Sequence, residues 1–362
     1  MRILQVAPPW FLVPPRAYGG IEEVVALLAD GLVATGHQVT LLASGGSRTR
    51  ARLWSTYNEP PSARLGDAAT ELSHVLQGHL HRRQFDVIHD HTASGAALGA
   101  MPGGPPVVHT LHGPWVPGTS DLCRSLGGRV HLVAISHDQA NRAPADVQLA
   151  GVVHNGIDVA AHRYIGPRSG HLVFVGRANP VKGPDLAIEV ARRLGRHLRM
   201  AIKVNEPAEH AYFDQVLAPM IAANDVELVT ITEPRAKVEL LGSACAVLFP
   251  IRWPEPFGLV PLEANACGTP VVAFADGAVP EVVCDGRSGV LVPPGDLDAF
   301  CSAVERAERM DATDCRAVAA ERFDASVMVR SYEQVYARAV ASNGTAAPPR
   351  QWPVPRAAAP RS

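Results

Sequence analysis

The sequence predicts an α/β protein of two doubly wound domains, each a parallel β-sheet covered by helices on both faces. Three observations carry that reading. Short runs made almost wholly of aliphatic residues recur along the chain, and strands apolar on both faces belong to covered parallel sheets. Between them lie longer stretches with apolar residues at helical spacing. The alternation breaks off near residue 160 and then restarts, and a chain of 362 residues has the length of about two domains.

Taken in order, "RILQVA" (2–7) reads as a strand. "GIEEVVALLADGLVATG" follows with apolar residues at 21, 24, 25, 28 and 32, the spacing of one helix face. "HQVTLLA" (37–43), "DVIHDH" (86–91), "PVVHTLH" (106–112) and "VHLVAIS" (130–136) continue the strand series. These runs place one doubly wound domain over residues 1–158. The turn-rich stretch "VVHNGIDVAAHRYIGPRSG" then interrupts. The pattern resumes with "HLVFVG" (171–176), the helix "GPDLAIEVARRLG", "LRMAIKV" (198–204), "VELVTIT" (226–232), "CAVLFPI" (245–251) and "PVVAF" (270–274). This second domain spans 159–325. A helical stretch over 326–342 closes the fold, crossing back to the first domain. Residues 343–362, rich in Pro, Ala and Arg, read as a disordered tail. No internal repeat is present. Two such domains put the site in the cleft between them, at the C-terminal ends of strands.

Composition narrows the function classes. Apolar residues make up 47% and charged residues 19%, ordinary for a globular chain. A net charge of −2 argues against nucleic acid as a principal partner, because phosphate neutralisation needs an excess of basic groups. Only three of the 33 basic residues are lysines, Lys182, Lys203 and Lys237, so each is a position where arginine has not taken over. The six cysteines show no CxxC pair and no zinc-type spacing, and they read as free thiols of a reducing compartment. With no signal-like N-terminus and no apolar stretch near 20 residues, the expectation is a cytoplasmic protein.

The chemistry concentrates in "WPEPFGLVPLEANACGTPVV" (253–272). A strand ends at 249–250, a loop follows, and "LVPLEANACG" reads as a helix with Pro261 in its first turn and Gly268 as its stop. Gly258 therefore stands at a helix N-terminus, where free N–H groups favour a phosphate. Glu255 precedes that point and Glu263 lies one turn inside. A carboxylate accepts bonds from two neighbouring hydroxyls, so one acid suits a sugar and the other a ribose, on either side of a diphosphate. From these residues alone, two solvated acids at a helix start remain an equal reading. "GRANPVKG" (176–183) lies between a strand and a helix, putting Arg177 and Lys182 where two cations suit a diphosphate. An exposed basic turn is the alternative. In "YGGIEE" (18–23) Gly19 and Gly20 permit close approach of backbone to phosphate, or simply start a helix. His112 stands at the mouth of the strand "PVVHTLH", His109 is read as packed inside, and His89 and His91 form an i, i+2 pair that is a weak metal motif.

"EPFGLVPLEANACGTPVV" resembles the E-x7-E region of the retaining, family-4 type glycosyltransferases (glycosyltransferases group 1) with the GT-B fold, two Rossmann-like domains facing across a cleft. "VFVGRANPVKGPDLAIEVARRLG", "VVHNGID" and "DGRSGVLVPPGD" are similar to further landmarks in that family's order. The opening 39 residues or so resemble a branch with bacterial antibiotic- and polysaccharide-pathway members. The resemblance covers about residues 1–340. It implies that Glu255 contacts the donor sugar and Glu263 the nucleotide ribose. It further implies that the backbone of Phe257, Gly258 and Leu259 holds sugar and diphosphate, that Arg177, Lys182 and Gly20 face the phosphates, and that His112 lies near the donor sugar. Neither metal nor cofactor is implied. The stretch "TITEPRAK" departs from the family, with Thr232 where Gly is frequent before the acid Glu233, and leaves the choice between a UDP-sugar, which is favoured, and a GDP-sugar open.

The expected activity is transfer of a sugar from a nucleotide-diphosphate donor to an acceptor in the cleft, with retained configuration. Two rivals share the fold: a sugar-nucleotide isomerase of the 2-epimerase kind, and a non-catalytic sugar-nucleotide binder. The acceptor is not legible, whether sugar, natural product or lipid-linked glycan. Arg48, Arg50 and Arg52 offer weak support for contact with a membrane surface against a plain solvated loop.

Overall fold

The computed structural model describes residues 1–16, 19–164 and 166–342; the expected tail, 343–362, lies outside the described residues, as do Ala17, Tyr18 and Ile165. Its first half forms a seven-stranded sheet of β1 (Arg2–Val6), β2 (Gln38–Ala43), β3 (Arg52–Ser55), β4 (Val87–Asp90), β5 (Val107–Leu111), β6 (His131–Ala134) and β7 (Leu149–Val152). The second half forms a six-stranded sheet of β8 (Leu172–Arg177), β9 (Leu198–Lys203), β10 (Val226–Leu228), β11 (Ala246–Phe249), β12 (Val271–Phe274) and β13 (Gly289–Val292). Strand orders are β3-β2-β1-β4-β5-β6-β7 and β10-β9-β8-β11-β12-β13, and every pairing is parallel. In both sheets the order reverses beside the first strand, between β1 and β4 and between β8 and β11. Such a switch point opens a crevice at the strands' C-terminal ends.

The apolar runs are explained by the two faces they cover. Ile3, Val39, Val87, Val108 and Val133 point to one side of the first sheet, against the helix Gly20–Ala34 and the last helix, Ala325–Ser342. Leu4, Leu42, Ile88 and Leu132 point to the other, against Val75, Cys123 and Leu126 of the helices Ala68–Leu80 and Pro117–Leu126. In the second sheet Leu172, Phe174, Met200 and Leu248 face the helices Pro184–Leu194 and Leu297–Ala307, while Val173, Val247 and Val271 face Pro234–Gly242 and Leu259–Ala266.

Three strands escape a reading by apolar runs. β3 and β7, the outer strands of the first sheet, are short and carry polar or glycine residues, because an edge has less surface to bury, whereas β13, an outer strand of the second sheet, is largely buried but only four residues long. The expected strand 226–232 is likewise cut to three residues. β10 is an edge paired to β9 alone, and the chain leaves the sheet after Leu228.

Two segments run side by side between the sheets. The Ile157 N–H donates to the Phe323 carbonyl at 2.9 Å and the Ala325 N–H donates to the Ile157 carbonyl at 2.9 Å. Beyond that pair the chain re-enters the first half as Ala325–Ser342, burying Met328, Val329, Tyr332, Val335, Tyr336 and Ala339 against the first sheet.

Candidate active site

Most of the predicted site residues lie at the C-terminal ends of the second sheet's strands, where Leu259 meets Gly20 of the first half. Arg177 ends β8, and Lys182 closes the short turn Pro180–Lys182. Glu255 lies in the loop after β11, which is pinned by the Ala278 N–H donating to the Glu255 carbonyl at 2.8 Å. Gly277 is required there, since a Cβ on it would stand 2.3 Å from the Glu255 nitrogen. Gly258, with φ 96°, is the N-cap of Leu259–Ala266, so its own amide and the next ones begin the helix unpaired. Phe257 turns its ring away into an apolar cluster with His154 and Phe323, which leaves its backbone to the cleft. Leu259 reaches the opposite wall: a Cβ on Gly20, the first residue of its helix, would meet Leu259 Cδ1 at 2.9 Å.

Each of the two acids holds a lysine. Lys182 Nζ donates to Glu255 Oε2 at 2.5 Å, where Trp253 Nε1 also donates at 2.9 Å, and the ammonium lies 4.7 Å from the Trp253 ring centre. Lys237 Nζ donates to Glu263 Oε1 at 2.6 Å. All four side chains are largely buried, and a lone charge at such depth is costly, so each acid is held paired with its lysine. Arg177 does not stand beside Lys182 as an open cation. It donates to Glu206 and Glu209. Burial pushes the Glu209 carboxyl up, yet the amides of Asn205 and Glu206 together with Arg177 outweigh it and hold it below the ordinary value.

Four cleft residues were not singled out by motif. Lys237 and Lys203 complete a set in which every lysine of the chain lies in this region; Lys203 stands 5.3 Å from the Phe11 ring centre, and burial, then Arg177, lowers its pKa. Their rarity was the available signal. Glu22 and Glu23, in the first turn after Gly20, face the second half. Burial raises the Glu22 carboxyl to about 7, while burial and then Glu263 raise Glu23. Thr232 and Glu233 are exposed, and Glu233 is the N-cap of Pro234–Gly242, the helix that carries Lys237.

In the first half, His112 follows β5 and lines a cavity of about 190 Å³ together with His91, Thr92 and Thr119. His109 is buried with its Nδ1 3.4 Å from Asp90. His89 and His91 are members of a hydrogen-bonded network, with ring centres 4.0 Å apart. The one convergence of three metal-type ligands among the described residues is His137, His154 and Glu281. There Glu281 already accepts from the amides of His137 and Asp138 and pairs with His154 at 2.8 Å, tying the two halves together.

The buried histidines have a measurable consequence. Burial lowers His74 to about 4 and holds His89 and His91 well below the usual value. Unfolded, each takes a proton near pH 6.5, whereas the native state refuses it. Stability is therefore full above pH 6.5 and falls as the pH drops toward 4, at about 1.4 kcal/mol per pH unit for each histidine. A melting temperature flat from pH 7 to pH 5 would contradict this.

Paired Rossmann-like domains with strand-end residues meeting at the cleft are the architecture of the GT-B fold. Residues 18–161 match the family model Glycosyltransferase Family 4 and residues 166–322 match Glycosyl transferases group 1. The chain belongs to the family-4, group 1 glycosyltransferases. The D-inositol 3-phosphate glycosyltransferase of Kribbella flavida is 31% identical over 266 residues, covering 61% of this chain and 62% of that protein. The protein of the same description from Frankia alni is 33% identical over 271 residues, covering 61% and 65%. The chain thus spans less than two thirds of the length of these relatives. AviGT4, a glycosyltransferase involved in avilamycin A biosynthesis, superposes over 94% of this chain and 98% of its own with a TM-score of 0.73 at 26% identity. HepE of Anabaena, solved in complex with UDP and glucose, superposes over 92% and 99% with a TM-score of 0.72; at 20% identity it shares the fold.

Proposed function

We propose that the protein transfers a sugar from a nucleotide-diphosphate donor, with UDP-sugars favoured, to an acceptor held by the first half, retaining the anomeric configuration. The observation that carries this is the pair of clasped acids, Glu255–Lys182 and Glu263–Lys237, flanking the helix N-terminus at Gly258. A diphosphate at that N-terminus takes the free amides and draws Lys182 off Glu255, releasing the carboxylate to the sugar hydroxyls. Glu263 exchanges part of its bond to Lys237 for the ribose in the same way. Arg177 joins the phosphates if it leaves Glu206, the exposed one of its two partners. As the glycosidic bond breaks, negative charge grows on the diphosphate, where cation and amides stabilise it. In this reading the carboxylates of the cleft serve as ligands to hydroxyls, the acceptor attacks the face the diphosphate leaves, and a diphosphate oxygen takes its proton.

The cavity beside His112 supports transfer over isomerisation or plain binding, which need no acceptor site. A panel of nucleotide sugars tests the reading: the favoured donor is expected to show slow hydrolysis, with nucleotide release accelerated by acceptor. Binding with neither hydrolysis nor transfer for any donor would sink it. Lys182, Arg177 and the helix amides supply the positive charge, so full activity in EDTA is expected. Loss on chelation, restored by manganese or magnesium, would overturn the metal-independent reading. No helix among the described residues is long and apolar enough to cross a membrane, and all six cysteines are unpaired; we place the protein in the cytoplasm on the free thiols.

A further inference from the structure

A chain of buried hydrogen bonds runs through the first half from the last helix to His112. Gln5 on β1 is its centre. The Gln5 side-chain amide donates to the Tyr336 hydroxyl at 2.9 Å, and its carbonyl lies 3.0 Å from His91 Nε2. His91 Nδ1 is 2.9 Å from His112 Nε2. On the other arm, the Tyr336 hydroxyl is 2.7 Å from His89 Nδ1, His89 Nε2 is 2.7 Å from the Thr110 hydroxyl, and that hydroxyl is 2.8 Å from the Tyr332 hydroxyl. Gln5, His89, His91, Thr110, Tyr332 and Tyr336 are all buried.

A neutral imidazole has one donor and one acceptor, so each link dictates the next. A carbonyl can only accept, hence His91 carries its proton on Nε2 and presents a lone pair at Nδ1. That lone pair must receive a proton from His112, which therefore carries its own on Nε2. Beyond Gln5, Tyr336 accepts from the amide and donates to His89 Nδ1, and His89 Nε2 donates to Thr110. From His112 through His91, Gln5, Tyr336 and His89 to Thr110, every bond points the same way. Reversing any link between His112 and Tyr336 requires turning the Gln5 amide over. Burial, and after it the neighbouring histidines, keeps His89 and His91 neutral, so a stray proton does not break the sequence.

We propose that Gln5 and His91, backed by Tyr336 from the last helix, are positioning residues that hold His112 in its Nε2–H tautomer and leave Nδ1 as an acceptor for a substrate hydroxyl. This rests on the reading of His112 as a residue facing the sugar. It gives the returning helix a task in the reaction: its Tyr336 hydroxyl orients the Gln5 amide, and the amide sets the histidine.

Long-range 1H–15N correlation spectra of the full-length protein at neutral pH report each ring's tautomer, with the His112 signals assigned by their loss in His112→Ala. The wild type is expected to show His112 protonated at Nε2 and bare at Nδ1; a ring protonated at Nδ1 overturns the proposal whatever the activity. In Gln5→Met the carbonyl is gone. His112 is expected to become a mixture of tautomers, and kcat to fall roughly tenfold, the weight of about one hydrogen bond, while donor KM stays within about twofold. A Gln5→Met enzyme with the wild-type tautomer and wild-type kcat shows that the amide sets nothing. If the wild-type spectrum is as expected but His112→Ala turns over normally, the positioning role falls with the reading of the site and not with the tautomer.

Discussion

Lys182→Ala is expected to lower kcat by about 10²–10³, roughly 3–4 kcal/mol, with a smaller change in donor KM. The diphosphate gains charge only as the bond to the sugar breaks, so the contact strengthens in the transition state and its loss falls on turnover. The clasp adds a second route to the same deficit, because Glu255 keeps only its bond from Trp253 once the lysine is gone. Arg177→Lys should restore only part of the function if the guanidinium binds two oxygens, since an ammonium cannot reproduce the fork. The double variant should cost less than the product of the single losses, because both groups serve one ligand. Steady-state kinetics with saturating acceptor would settle it: wild-type kcat in Lys182→Ala would mean that the diphosphate does not lie on this turn.

The second large effect separates the two acids. Glu263→Ala should weaken binding of the sugar-free nucleoside diphosphate by roughly 10- to 100-fold, the range for a hydrogen bond to a charged group. The substitution removes the proposed ribose partner and leaves Lys237 without the acid it clasps. Glu255→Ala should leave that affinity nearly intact and impair transfer, because its partner is the sugar. Calorimetry with the free nucleotide distinguishes them, and the opposite pattern would exchange the two roles.

Much of this architecture is legible from local pattern. The inner strands are apolar because both faces are covered, so their positions follow from composition alone, as at "PVVHTLH" and "CAVLFPI". The edges are not legible in that way. β3 and β7 have less to bury, so nothing in their apolar content marks them, and β13 is too short a run to stand out. Motif spacing placed Glu255, Glu263, Arg177 and Lys182 on the ends of strands and the start of a helix, since those positions depend on residues only a few places away.

Local pattern therefore fixes the covered parallel sheets, the loop-to-helix turn at Gly258 and the residue types along one cleft wall. Tertiary structure alone decided the partners. Lys237 and Glu263 are 26 residues apart, Lys182 and Glu255 73, and Gln5 and Tyr336 331. Arg177, at the end of β8, takes Glu206 and Glu209 as partners, 29 and 32 residues away. Short-range steric and hydrogen-bond rules set a strand or a cap, and these repeat wherever the same residues recur. A buried charge or imidazole takes whichever partner the packed sheets bring within about 3 Å, and that depends on the whole chain.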